Sequence, residues 1–137
     1  MGDDGLLNHD DLIRQPIDYN AIAPYPIAPT DLDGLIDVDG KGYILIEVKR
    51  GHTNMPMGQQ ICLENIVKDF HRAGKKAVLI LLRHEQYDPT QVIFAAFLPV
   101  TGIYDGKGWR TPKQQCLAHE FVKQTLNLWK GTPNGNL

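Results

Sequence analysis

The chain has 137 residues, 42% of them apolar, enough for one core of modest size and marginal for two separate ones. Its 14 Lys and Arg side chains stand against 16 Asp and Glu, so no bulk positive field marks a nucleic-acid or membrane-surface binder. No apolar run is long enough to span a bilayer or act as a signal peptide, and the two cysteines, Cys62 and Cys116, lack zinc-ligand spacing, which points to a cytoplasmic protein with reduced thiols.

In chain order, residues 1–30 read as an N-terminal extension, with a short helix over Asp10 to Gln15 and then "APYPIAP", whose prolines favour extended backbone. Leu35 to Val38 and Tyr43 to Val48 are rich in β-branched residues and flank the turn signal "DGKG", which predicts a hairpin. In "QQICLENIVKDFHRAG", Ile61, Leu63, Ile66, Val67 and Phe70 fall at near-helical spacing, with Gly74 as a C-cap. The continuous apolar run "KKAVLILLRH" predicts a central strand buried on both faces. "QVIFAAFLPV" predicts a further strand, "TGIYDGKGWRTP" a glycine-rich turn region, and "QQCLAHEFVKQTLNLW" an amphipathic helix, before a frayed tail over 131–137. This alternation predicts one α/β domain over 1–137, a mixed sheet sandwiched in two or three layers.

The hairpin carries the chemistry. Period two places Tyr43, Leu45, Glu47 and Lys49 on one face of the second strand and Ile44, Ile46 and Val48 on the other. An even-length turn would mix the faces. A three-residue loop, Gly40-Lys41-Gly42 with Gly42 left-handed, pairs Leu35 with Glu47 and Asp33 with Lys49 and leaves one face purely Ile and Val. Two carboxylates, Asp33 and Glu47, then gather beside an ammonium, with the backbone carbonyl of Val48 between Glu47 and Lys49. Such oxygen donors suit Mg²⁺, with Mn²⁺ able to substitute, and the ammonium can hold a water and steady developing negative charge.

The stretch "DGLID…YILIEVK" resembles the signature of the PD-(D/E)XK nuclease superfamily, an aspartate opening one strand and E-x-K on the next, and is similar to the lambda-exonuclease-like and Holliday-junction-resolvase-like small nucleases. The resemblance covers Asp31 to Leu82. It implies a restriction-endonuclease-like α-β-β-β-α-β core, a mixed sheet flanked by helices. It also implies a Mg²⁺-dependent hydrolase of DNA phosphodiester bonds directed by structure or ends. Asp33 and Glu47 would bind the metal with the Val48 carbonyl, and Lys49 would position or activate the water. The alternative is a non-catalytic nucleic-acid-binding or interaction protein that retains the fold.

Leucine rather than proline precedes Asp33, which leaves Asp31, on the same face, as a rival ligand. The glutamine and tyrosine spaced four apart in the lambda-exonuclease-like group survive only as a glutamine: Gln59 is followed at that spacing by Leu63, and Gln60 by Glu64. Gln59 and Gln60, with Arg50 and His52 just after the E-x-K strand, are candidate contacts to nucleic acid, and Asp10 or Asp11 candidates for a first-helix acid. Lys75, Lys76, Arg72 and Arg83 are further phosphate contacts or a solvated rim, while Trp109 and Trp129 are base-stacking or core residues. An apolar patch of Leu126, Leu128 and Trp129 would serve a homodimer. "DLDG" lacks the preceding hydrophobic strand of a haloacid dehalogenase, and an EF-hand loop counted from Asp37 puts Val48, not an acid, at its last position.

Overall fold

The structure is a computed structural model that describes residues 16–131. The expected helix over Asp10 to Gln15, the Asp10 and Asp11 candidates and nearly all of the tail lie outside them. Five strands form one mixed sheet in the order β1 (Gly34–Val38), β2 (Gly42–Arg50), β3 (Lys76–His84), β4 (Val100–Tyr104), β5 (Trp109–Arg110). Only β2 and β3 are parallel. Helix α1 (Met57–Arg72) makes the β2–β3 crossover, and α2 (Ala118–Lys130) follows β5.

The helices cover opposite faces, so the layers number three. Leu63 and Val67 of α1 pack on Leu45, Ala77 and Leu79, whereas Ala118 and Trp129 of α2 pack on Ile44, Val78, Ile80 and Leu82. β3 is covered on both sides, which is why its sequence is unbroken apolar. Ile36, Val38, Ile46 and Val48 all join the α2 side, the Ile and Val face that the hairpin pattern predicts.

Strand order departs from expectation in two ways. Among the described residues two strands precede α1, not three, so the sequence runs β-β-α-β-β-β-α. "QVIFAAFLPV" is not a strand: Ala95–Phe97 is a single 3-10 turn, Val92, Phe94 and Phe97 are exposed, and the strand begins only at Val100, past Pro99, which has no N–H for a ladder. The predicted turn region after it instead supplies β4 and β5, joined by a tight turn in which Asp105 Oδ1 accepts the Lys107 N–H at 2.9 Å and the Gly108 N–H at 3.2 Å.

The hairpin register is shifted by two residues. Val38 pairs with Gly42, Ile36 with Ile44 and Leu35 with Leu45, so the loop is Asp39-Gly40-Lys41 rather than Gly40-Lys41-Gly42. Asp39 and Gly40 take positive φ (54° and 70°), the Lys41 N–H closes on Val38 O at 3.0 Å, and Asp37 Oδ1 accepts the Gly40 N–H at 2.7 Å. Aspartate and glycine are the residues that tolerate two successive left-handed positions, and Gly42 starts the strand instead. The loop keeps its odd length, so the two faces are unchanged. Continuing the ladder past Gly34–Ile46 sets Asp33 opposite Glu47, not Lys49.

A Cβ at Gly40 meets only the Tyr43 hydroxyl, at an ordinary 3.9 Å, so Gly40→Ala isolates the conformational cost. It should destabilise the fold by about 1 kcal/mol in denaturant titration. An unchanged midpoint would mean that another turn closes the hairpin.

Candidate functional site

Glu47 is an acid in a row of apolar neighbours. It follows Leu45 on the α1 side of β2, and the first turn of α1 closes over it, leaving it 2% exposed, the one charged side chain among the buried residues described. Two polar contacts replace water, and a third joins the groups that make them. Lys49 Nζ lies 3.0 Å from Glu47 Oε2, Gln59 Nε2 donates to the same oxygen at 2.6 Å, and Lys49 Nζ donates to Gln59 Oε1 at 3.0 Å. Gln59 also donates to the Asp31 carbonyl at 3.1 Å, tying α1 to the segment that enters β1. The other Glu47 oxygen, Oε1, is buried and has no hydrogen-bond partner.

Asp33 sits just before β1, where pairing to β2 has not begun, and its Oδ2 accepts the Val48 N–H at 2.8 Å. That bond fixes the Asp33 side chain at the β2 edge. It also shows that Val48 turns its peptide groups toward β1, since N–H and C=O of one residue leave a strand from the same edge. The Val48 carbonyl therefore leaves β2 on the Asp33 side rather than into the β3 ladder. Asp31 contributes its carbonyl to Gln59, and Asp33 is the aspartate whose carboxylate is held against β2.

These groups floor a cleft of about 620 Å³, walled on one side by Pro26 and Ala28 to Thr30 and on the other by Pro56, Gly58 and Gln59. The expected site residues thus separate. Asp33, Glu47, Val48, Lys49 and Gln59 come together. Arg50 leaves β2 on the opposite face and stacks over Tyr87, 5.2 Å from the ring centre. His52 lies exposed in the following turn, and Gln60 donates to Glu64 Oε2 at 2.9 Å. Glu64 Oε2 also accepts the Trp109 indole N–H at 2.6 Å, so Trp109 is committed to packing, as is buried Trp129. Of the expected dimer patch, only Leu128 is exposed; Leu126 packs against the core with Trp129.

Sequence reading missed the cleft wall at Pro26 to Thr30 and the Asp31 carbonyl, because neither has a residue-type signature. It also missed the pairing of Glu64 with Trp109, which are 45 residues apart in the chain.

Burial pushes the Glu47 carboxyl above the ordinary glutamate range; the Lys49 hydrogen bond opposes this, and the Asp33 charge adds to it. The folded state therefore binds this proton more tightly than the unfolded chain. The resulting stability is fully present below the ordinary glutamate pKa and is lost as pH rises through the higher folded value. Without added metal, Glu47→Gln removes this loss, so thermal melts should diverge in the variant's favour as pH rises above the glutamate range. Wild type gaining on the variant with rising pH would contradict a net cost of the buried charge.

The described residues contain no group of three or more His, Cys, Asp or Glu side chains placed to hold a metal, and no helix among them is long and apolar enough to cross a membrane. No family model, curated protein or solved structure matches the chain.

Proposed function

We propose that the chain is a divalent-metal-dependent nuclease of the PD-(D/E)XK type that hydrolyses DNA phosphodiester bonds, acting on DNA structure or ends. The observation that supports this most is the buried, unpartnered Oε1 of Glu47 in a cleft shared with Asp33 and Lys49. A carboxylate oxygen stripped of water and of protein donors is costly unless a ligand completes it.

The donor set fits a hard cation. Glu47 and Asp33 offer carboxylate oxygens and Val48 a carbonyl, a small all-oxygen set of the kind that holds Mg²⁺ or Mn²⁺ together with waters and substrate oxygens. When bound, the ion supplies Lewis-acid polarisation of the phosphoryl group and the attacking water. The chain's own residues do the rest. Asp33 and Glu47 bring negative charge to one side of the cleft, and the Val48 N–H fixes the Asp33 rotamer. Lys49, 17% exposed, is held by Glu47 and Gln59 with its ammonium at the cleft floor. There it can orient a water and stabilise the charge that develops on the phosphoryl oxygens. Gln59 spans Glu47, Lys49 and the Asp31 carbonyl, so it holds acid and base groups in one geometry.

Labelled linear, nicked and branched DNA incubated with Mg²⁺ or Mn²⁺ tests the proposal. Cleavage should require the metal, vanish in Glu47→Ala, and fall by roughly 10²- to 10³-fold in Lys49→Ala, as when one stabilising donor is removed from an active site. Cleavage without metal, or unaffected by Lys49→Ala, would refute it.

A second reading, a non-catalytic nucleic-acid-binding protein, is favoured by the two strands rather than three before α1 among the described residues and by the near-neutral charge. Calorimetry with Mn²⁺ separates the two. The nuclease reading predicts a single site weakened at least about tenfold by Asp33→Ala, in line with the loss of a metal ligand or its close support. The binding-module reading predicts no Asp33-dependent site.

A further inference from the structure

Arg83 is a cation beside the site whose role neither the fold nor the proposed chemistry yet explains. In the parallel ladder it is the register partner of Lys49, so it leaves β3 on the same face, one strand away. A rim arginine would extend into solvent. This one turns back: its Nη1 donates to Gly51 O at 2.9 Å and to Thr53 O at 2.7 Å. Among the described residues no carboxylate forms an ion pair with it.

Those two carbonyls belong to the connection that runs from the end of β2 to the start of α1. Two further bonds hold the same turn, from the Gly51 N–H to His84 O at 2.8 Å and from the Thr53 N–H to Arg50 O at 3.0 Å. Gly51 adopts a positive φ of 56°, and a Cβ there would lie 2.6 Å from the Tyr87 hydroxyl. The turn is tight, and six residues beyond Thr53 it delivers Gln59 onto Glu47 and Lys49.

We infer that Arg83 is a positioning residue: by clamping the Gly51 and Thr53 carbonyls it sets where α1 begins, and so where Gln59 holds Lys49. The inference rests on the nuclease reading. It divides the site by its supports. The oxygen donors Asp33, Glu47 and Val48 are carried by β2 and by the residue that enters β1, and the Arg83 guanidinium bonds none of them, whereas the Gln59 contacts to Lys49 and to Glu47 Oε2 depend on the placement of α1. Disturbing Arg83 should therefore slow turnover while leaving ion binding in place.

The test uses the full chain with Arg83→Met, which keeps an aliphatic stem and removes the donors, and Arg83→Lys, which keeps a charged donor. Mn²⁺ alone is the probe in calorimetry, and metal-dependent cleavage of labelled DNA gives kcat and KM. Arg83→Met should lower kcat by roughly tenfold to a hundredfold while KM and Mn²⁺ affinity stay within about threefold of wild type, the pattern of misplaced rather than missing groups. Arg83→Lys should recover at least about a third of the wild-type kcat, since a donor again reaches the carbonyls. The inference is overturned by any of three results: a kcat for Arg83→Met within about twofold of wild type, a parallel loss of Mn²⁺ affinity and turnover in both variants, or an Arg83→Met chain without a cooperative melt. Wild type that cleaves no DNA overturns the nuclease reading and this inference with it.

Discussion

The carboxylate of Glu47 constrains everything around it. A carboxyl side chain with almost no contact with water must be compensated within the protein, and both β2 and α1 supply part of that compensation. β2 provides Lys49 two residues on, α1 provides Gln59, and both reach the same oxygen. The second oxygen is left without a donor. A fold seeking only stability would place an apolar residue here, continuing the pattern of Tyr43 and Leu45, so the acid and its uncompensated oxygen read as a cost retained for binding.

The position of this group follows from topology. β1 stops pairing at Gly34 while β2 runs on, so the β2 edge from Val48 onward is open to a side chain and not to a strand. Asp33 uses that opening to accept the Val48 N–H. On the other side the parallel β2–β3 pair requires a crossover helix, and α1 brings its first turn to the same end of the sheet. The cleft lies where a strand ends, a helix begins and the proline-rich segment at Pro26 to Thr30 passes over. The electrostatics are local: the chain's net charge is −2, yet Lys49 and Arg83 stand side by side on one face.

Much of this was legible in the sequence, and the misses have physical causes. The alternation of Ile and Val fixed which faces the hairpin residues share, because a one-residue slip would expose the whole set. It could not fix the loop position, since any odd-length loop preserves the faces. Asp39 and Gly40, taking the left-handed positions in place of Gly42, moved the pairing by two and exchanged Lys49 for Glu47 opposite Asp33. Residues 91–98 look like a strand because they are apolar, but several are exposed, and the open edge of β3 is taken by the following segment. Apolar content alone does not separate an exposed loop from a strand. Gln59 was found and Gln60 was not distinguished from it, because neighbouring helix positions point in different directions and only the fold shows which one faces β2. In the sequence Arg83 reads as a phosphate contact or part of a solvated rim at an element end; that it turns back onto two carbonyls is a property of the turn, not of its residue type.

The central claim is that the Glu47 oxygen is completed by a divalent ion shared with Asp33. A crystal of the full chain soaked in Mn²⁺ tests this most directly through anomalous scattering. A single strong peak between the Asp33 and Glu47 carboxylates, beside the Val48 carbonyl, is the predicted result. A saturating soak that leaves this space without anomalous density, with Mn²⁺ bound elsewhere or not at all, would contradict the account.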